Sequence, residues 1–179
     1  MTQQILELGN PELRLPSHPI EDVTSDRIQQ LIDRLLVTVK DSNGVGIAAP
    51  QMGERVRLFI VASRPNPRYP YAPEMEPTAM LNPRIVSHSG ETEKGWEGCL
   101  SVPGIRGLVP RYTAIEVEYT GRDGTLQRQT LTDFVARIFQ HELDHLEGKV
   151  FLDRVESTDD LMTEQEFHKR VVVDQLTKK

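Results

Sequence analysis

The sequence contains a single cysteine, Cys99, among its 179 residues. One cysteine excludes an intrachain disulfide and favours a reducing compartment such as the cytoplasm. The sequence also lacks an apolar run of about 18 residues, so it predicts no transmembrane helix. Residues 1–5 have neither a basic segment nor an apolar core and predict no secretory signal. We therefore expect a cytoplasmic protein that does not use a membrane.

The sequence has no excess of positive charge. It has 21 Lys and Arg residues against 27 Asp and Glu residues, which gives a formal net charge of −6. A protein that binds nucleic acid through phosphate contacts needs a basic face, so the composition argues against a specific DNA partner. Its length favours one domain over residues 1–179, and we expect a monomer.

Hydrophobic periodicity predicts both helices and strands. Apolar residues recur at helical spacing from Ile28 to Val39 and indicate a helix over residues 25–40. Residues 56–62 are apolar and β-branched, which is typical of a buried strand. Alternating residues around a Gly-containing turn predict a hairpin over 115–130. Antiparallel connections combined with helices predict an α+β fold, with antiparallel sheets around a central helix.

Proline marks one irregular segment. Five prolines fall within residues 64–77, which predicts a surface loop. The following residues, 78–88, predict a strand that Pro83 interrupts.

Residues 141–145 read HELDH, the pattern by which a helix offers two imidazoles to a metal and a carboxylate to the bound water. Thr130 to Asp133 has the form of a capping box, and Gly148 supplies a stop. Helical spacing puts His141 and His145 on one face. Two buried imidazoles need partners for four nitrogens, and a shared metal supplies two of them.

Two histidines leave the site one protein ligand short. One protease class takes its third ligand six residues after the second histidine, but Phe151 occupies that position and cannot coordinate. A second class uses a downstream glutamate, so Glu164 and Glu166 remain candidates on spacing. The third candidate is Cys99. A lone cysteine is usually a small buried hydrophobe, but here Gly98 removes bulk beside the sulfur and residues 103–104 (PG) predict a turn directly afterwards.

Three separated blocks together resemble the signature motifs of peptide deformylases. They are residues 44–51 (GVGIAAPQ), 97–101 (EGCLS) and 140–145 (QHELDH), in the order of that family. The helix over 25–40 and the intervening strands also fit the family's layout. The tail, residues 155–179, is divergent in the family, so nothing is carried over to it.

The resemblance implies removal of the N-formyl group from nascent chains that begin with formyl-methionine. By motif position, the metal ligands are Cys99, His141 and His145. The usual metal of the family is Fe²⁺, replaceable by Ni²⁺, Co²⁺ or Zn²⁺. The matching positions also make Glu142 the proton-transfer group and direct Gln51 and the Leu100 N–H at the formyl oxygen.

Elementary chemistry supports these assignments. A divalent metal supplies hydroxide near neutral pH, and the hydroxide attacks the formyl carbon. The Gln51 amide and the Leu100 N–H stabilise the charge that develops on oxygen. Glu142 takes the water proton and delivers it to the leaving amine. On composition alone, Gln51 could instead be a turn residue that binds its own backbone.

Six further residues are candidates for substrate binding. Missing side chains at Gly44 and Gly46 would let a substrate backbone pair alongside, although both could also be turn glycines. Phe134 and Ile138 are core residues by default, and could line a pocket for the methionine side chain opposite Val45. The six candidates are Gly44, Val45, Gly46, Gly98, Phe134 and Ile138.

Two interpretations concern residues outside these motifs. Arg111 is the candidate partner of Asp144, on residue type alone. Residues 166–179 predict a short helix with Phe167, Val171 and Val172 inside. This segment is locally basic, with His168, Lys169, Arg170, Lys178 and Lys179, so a weak ribosome contact is conceivable, although a solvated tail is the favoured interpretation.

Two rival functions remain open. One is a small metalloendopeptidase that uses Glu164 or Glu166, and the other is a scaffold whose metal is structural. The motif around Cys99 argues against the protease, and Gln51 argues against the scaffold.

Overall fold

A computed structural model describes residues 4–174 of the protein. It contains three α-helices and eight strands in this range. The helices are α1 (Asp26–Asp41), α2 (Asp133–Leu146) and α3 (Glu164–Phe167). The strands are β1 (Gly46–Ala48), β2 (Leu58–Val61), β3 (Thr78–His88), β4 (Thr92–Cys99), β5 (Val102–Tyr112), β6 (Ala114–Thr120), β7 (Leu126–Thr132) and β8 (Leu161–Thr163).

The strands form two antiparallel sheets. One has five strands in the order β1-β2-β3-β6-β7, and the other has three in the order β4-β5-β8. Helix α2 contacts strands of both sheets, namely β1, β2 and β7 on one side and β5 on the other. The α+β prediction with antiparallel sheets around a central helix is therefore confirmed.

Strand β2 is buried on both faces because a helix covers each of them. Leu58 and Ile60 pack in the same cluster as the apolar stripe of α1. Phe59 and Val61 point the other way and pack with Phe139 of α2. Successive side chains of a strand alternate between faces, which explains why the whole of β2 reads as apolar.

The predicted helix, loop and hairpin agree with the structure. Helix α1 coincides with the helix expected over 25–40, and residues 64–77 contain neither helix nor strand. Strands β6 and β7 form the expected hairpin, with Ala114 opposite Thr132. Strand β3 is continuous over Pro83, but its pairing register shifts between Leu81 and Arg84.

The predicted start of α2 was wrong. Thr130 lies in β7, where it pairs with Glu116, so it does not cap the helix. The first helical residue is Asp133, whose φ of 50° marks the sharp change from strand to helix. Strand pairing therefore outweighs the local capping pattern. The predicted end is confirmed, since Gly148 has a φ of 71° and its N–H bonds to the His145 carbonyl.

The turn expected at residues 103–104 was also wrong. The chain reverses at Leu100 and Ser101, so that Cys99 pairs with Val102 across the turn, and residues 103–104 belong to β5. Sequence analysis had not predicted β4 or β5. Their pattern is irregular because Gly95, Gly98, Gly104 and Gly107 fall within them.

The C-terminal segment is helical as far as it is described. Helix α3 continues through a π-helical turn, His168–Val172. Phe167 and Val172 are buried as expected, whereas Val171 is only partly buried. Lys178 and Lys179, which the ribosome interpretation also invoked, lie outside the described residues. Within residues 4–174, no helix is long and apolar enough to cross a membrane.

Candidate active site

Helix α2 presents two imidazoles to the hairpin formed by β4 and β5. His141 and His145 lie one turn apart, and both are buried. The Nε2 atom of His145 lies 3.3 Å from the sulfur of Cys99, at the end of β4. Ligand atoms of Cys99, His141 and His145 all lie within 4.8 Å of one another. The fold thus joins two motifs that are far apart in sequence into one three-donor cluster.

The surroundings of Cys99 favour its thiolate. Burial raises the pKa of the thiol, but the imidazoles of His145 and His141 more than offset this effect and hold the pKa well below its ordinary value. The backbone N–H of Ser101 also points at the sulfur, at 3.4 Å. Because the thiolate is the form that binds metals, this environment suits a ligand.

The histidines also fit a metal. The Nδ1 atom of His141 lies 2.9 Å from the Glu97 carboxylate, and donation of its proton to that carboxylate leaves Nε2 free to coordinate. Cys and His donors suit transition metals, and three protein donors leave a position open for water or substrate. Among residues 4–174, the cluster of possible ligands contains neither of the rival glutamates. Glu164 instead binds Arg106, and Glu166 binds Lys169 and Arg170.

Glu142 is a buried carboxylate beside this cluster. Its side chain is nearly inaccessible, and its Oε2 atom has no hydrogen-bond partner within the described residues. Burial raises the pKa of this carboxyl to about 7, although the neighbouring histidines oppose the shift. A carboxyl group that titrates near neutrality can both accept and return a proton.

Gly46 makes room for the Glu142 carboxylate. A Cβ atom at position 46 would overlap Oε1 of Glu142. Contact with Glu142 therefore requires a glycine at this position, in addition to the substrate pairing that the sequence suggested. Gly98 has a similar reason, because a Cβ there would overlap the guanidinium of Arg106. The absence of a side chain at Gly98 therefore leaves room for the Arg106 guanidinium as well as for the surroundings of the Cys99 sulfur.

The Gln51 side chain makes a local turn contact and also faces the donor cluster. Its side-chain oxygen accepts the backbone N–H of Ala48 at 2.8 Å, which is the local turn contact. Its Nε2 atom lies 3.1 Å from the Ser101 hydroxyl and 3.5 Å from the sulfur of Cys99. The backbone contact thus fixes the amide so that its donor faces the cluster.

One cavity collects nearly all of the predicted site residues. Its wall includes Gln51, Cys99, Leu100, His141 and Glu142. All six candidate substrate residues line it too, namely Gly44, Val45, Gly46, Gly98, Phe134 and Ile138. His145 belongs to the donor cluster but is not part of this wall. The cavity therefore brings two members of the donor cluster together with apolar side chains such as Val45, Phe134 and Ile138.

Comparison with known proteins identifies the family. The model of the polypeptide deformylase family matches residues 2–160. A curated peptide deformylase of Nostoc sp. is 66% identical over 167 residues, which cover 93% of each chain. The chain belongs to the peptide deformylase family. It is an enzyme of this type and removes the N-formyl group from nascent chains.

Solved deformylase structures share the fold. A peptide deformylase of Acinetobacter baumannii, with Met-Ala-Ser bound, has a TM-score of 0.82 and 44% identity, and the match covers 84% of this chain and 96% of that one. A deformylase of Synechococcus elongatus in complex with actinonin has a TM-score of 0.77 and 34% identity, with coverages of 87% and 80%.

The deformylase cavity also contains residues that sequence analysis missed. Tyr69 from the proline-rich loop packs against Phe134 with the two rings tilted by 51° and their centroids 4.9 Å apart. Its hydroxyl accepts a hydrogen bond from Arg106 of β5 at 3.2 Å. Trp96 completes this side of the wall. No periodic pattern could have identified Tyr69, because it lies in a loop.

Glu97 lies in the motif at residues 97–101, but the sequence pattern gave it no role of its own. The pairing register of β4 is irregular between Glu97 and Cys99, so strand alternation alone would not have placed the Glu97 side chain. Its carboxylate accepts hydrogen bonds from Arg111 at 2.9 and 3.0 Å and from Arg137 at 3.0 Å. Arg111 also binds Asp144 at 2.7 Å, which confirms the partner proposed for Asp144.

Proposed function

We propose that Cys99, His141 and His145 bind one divalent metal ion, and that Fe²⁺ is the native metal with Ni²⁺, Co²⁺ or Zn²⁺ as substitutes. The donor set supports a transition metal, since Mg²⁺ and Ca²⁺ prefer oxygen ligands. The same donors suit iron, zinc and cobalt. The choice of iron therefore rests on the family resemblance.

The observation that most strongly supports this hydrolytic function is the position of Glu142 beside the donor cluster. When bound, a divalent metal lowers the pKa of a coordinated water and polarises a carbonyl. The buried carboxylate of Glu142, with one oxygen unpartnered, accepts the proton of the attacking water. It then delivers this proton to the nitrogen of the leaving amine, which departs poorly without one.

Gln51 and Leu100 stabilise the developing oxyanion in this proposal. The Nε2 atom of Gln51 faces the cluster from one side because its own oxygen is held by Ala48. Leu100 follows Cys99 in the turn, and its backbone N–H donates to the same oxygen. Donors fixed before the reaction act without reorganisation, which makes them effective.

The apolar end of the cavity receives the methionine side chain. Ile138 and Phe134 lie on α2 one turn apart, and Val45 also lines the cavity. Gly44, Gly46 and Gly98 leave the substrate backbone room to pass. The A. baumannii enzyme was solved with Met-Ala-Ser bound, which supports a peptide that begins with methionine as a ligand of this chain.

The physiological substrate is a formyl-methionine chain as it leaves the ribosome. The protein acts as a monomer in the cytoplasm, with residues 1–179 as one catalytic domain. A weak ribosome contact through the tail is the less favoured part of this proposal, since Lys169 and Arg170 are both ion-paired with Glu166.

The test is formate release from formyl-Met-Ala-Ser, with anaerobic metal quantification on the same sample. We expect activity to follow bound metal, and iron to dominate in protein purified without oxygen. Cys99→Ala should lose the metal on dialysis, whereas the matched control Glu164→Ala should keep it. A metal-replete Cys99→Ala protein would overturn the ligand assignment, and metal-loaded wild-type protein that releases no formate would overturn the function.

A further inference from the structure

The active-site cavity continues into an outer groove on the side of β5. The two share four lining residues, namely Arg68, Cys99, Leu100 and Arg106. From there the outer groove passes Gly104 and reaches Glu164 at the start of α3. A peptide whose first residue occupies the cavity therefore has a path along this groove for the residues that follow.

Apart from Cys99, which is a proposed metal ligand, the outer groove has two arginines against one acidic side chain. The Nε of Arg68 lies 3.3 Å from Glu164 Oε1, and the Nη2 of Arg106 lies 2.8 Å from the same atom. Two guanidinium groups thus share one carboxylate, and Glu164 is the one acid in the described lining of this groove. The Nε of Arg106 is also buried without a hydrogen-bond partner in the described chain.

The backbone of Arg68 is held in place by its loop, and its guanidinium contacts Glu164. The side-chain oxygen of Asn66 accepts the backbone N–H groups of Arg68 and Tyr69, at 2.9 and 3.0 Å. Tyr69 is anchored in turn by Phe134 and Arg106. The side chain of Arg68 is 32% exposed, so its charge is partly shielded from water. A partly buried, fixed cation attracts an anion more strongly than a mobile surface residue does.

We propose that this groove selects substrates with an acidic side chain among the residues that follow the formyl-methionine, and that Arg68 is a determinant of this specificity. The inference rests on the proposed function and extends it. The attraction comes from the guanidinium groups that Glu164 leaves without full compensation. An aspartate or glutamate of the substrate would complete the charge balance, and a lysine would be repelled.

The experiment measures kcat/KM for two series of C-terminally amidated peptides. These are formyl-Met-X-Ala and formyl-Met-Ala-X, with Glu, Gln or Lys at X. In wild-type protein we expect the Glu peptide to exceed the Lys peptide by about three- to tenfold in at least one series at low salt. About 1 M salt should reduce this ratio because it screens the charges.

Two substitutions should move the ratio in opposite directions. Arg68→Gln removes a cation and should bring the Glu-to-Lys ratio close to one. Glu164→Gln removes the compensating carboxylate and should raise the ratio above that of the wild type. Arg64→Gln is the matched control, since Arg64 lies in the same loop but binds the Lys40 carbonyl and does not line the cavity. Thermal unfolding of each variant shows that it is folded.

The outcomes separate the two proposals. A ratio near one in wild-type protein, or the same ratio in Arg68→Gln, would overturn the specificity proposal alone. A fall in the ratio for the folded Glu164→Gln protein would overturn it as well. Failure to release formate from any peptide would overturn the proposed function on which it rests.

Discussion

Helix α2 has buried polar side chains on two sides, and the two sets differ in whether they have hydrogen-bond partners. Toward the donor cluster, Glu142 has a carboxylate oxygen without a hydrogen-bond partner, and His145 has a buried Nδ1 without one, among the described residues. Toward β4 and β5, Asp144 binds both Arg111 and Arg154 at 2.7 Å. Glu97 on β4 likewise binds arginines with both of its oxygens.

Burial alone does not decide how these carboxyl groups behave. Glu142, Asp144 and Glu97 are 4%, 4% and 3% exposed. Burial raises the pKa of Glu142 to about 7. Burial also tends to raise the pKa of Glu97 and of Asp144. Their charged partners, which for Glu97 are Arg111 and His141 and for Asp144 are arginines, outweigh burial and hold both pKa values below the usual range. A buried network whose members are all paired holds the site in place, whereas a buried carboxyl group with an unpartnered oxygen is a candidate for proton transfer.

Among the substitutions that test this difference, we expect Glu142→Gln to have the largest effect, which is on kcat. Gln keeps the size and one acceptor, so folding and metal content should survive. It cannot accept the water proton and return it, so kcat per bound metal should fall by about 10³–10⁴-fold. The measurement is turnover of formyl-Met-Ala-Ser normalised to metal.

A structural role for Glu142 predicts the reverse result. The variant would then lose metal or unfold, while activity per metal-loaded molecule would be preserved. A fall of less than about tenfold would mean that another group moves the proton.

Arg111→Met tests the network in which the buried carboxylates of Glu97 and Asp144 are paired with arginines. It leaves Glu97 and Asp144 without one of their buried partners, which typically costs about 3–5 kcal/mol of unfolding free energy. Denaturant unfolding measures this change. Arg84→Met is the matched control, because the Arg84–Glu118 pair is exposed and should cost less than about 1 kcal/mol. Equal costs for the two variants would contradict the distinction between the buried network and a surface pair.

Gly46→Ala tests whether the position of the unpaired Glu142 carboxylate depends on the missing side chain at Gly46. The new Cβ would overlap the Glu142 carboxylate and force it to move. We expect kcat to fall by about ten- to a hundredfold, since small displacements of a catalytic group have effects of this size. Gly90→Ala is the control, because a Cβ at Gly90 meets no atom within 4 Å. An unchanged kcat in Gly46→Ala would show that the position of Glu142 is not critical.

Arg154→Met should have the smallest effect. The side chain of Arg154 is 43% exposed, and Asp144 keeps Arg111 after its removal. We expect a loss of about 0.5–1 kcal/mol in unfolding free energy and no change in metal content. If Arg154→Met lowered the unfolding free energy as much as Arg111→Met does, the exposed pair of Asp144 with Arg154 would contribute as much stability as its buried pair with Arg111.

The sequence alone specified the local elements and the chemistry of α2. The periodicity of α1 and the spacing of His141 and His145 depend on geometry within one helix, so they can be read without a fold. The same holds for the hairpin of β6 and β7, whose turn and alternation are contiguous. Three motifs together also sufficed to indicate the family and the donor set with Cys99.

Tertiary packing determines which distant groups come into contact. Arg106, Tyr69 and Glu164 come from a strand, a loop and a terminal helix, and no local pattern relates them. The capping pattern at Thr130 failed for the same reason, because pairing of β7 with β6 determined the conformation there. Contacts between distant segments depend on the packing of the whole chain. Sequence therefore indicated the candidate reacting groups, whereas packing determined which buried polar groups of the described chain have hydrogen-bond partners and which do not.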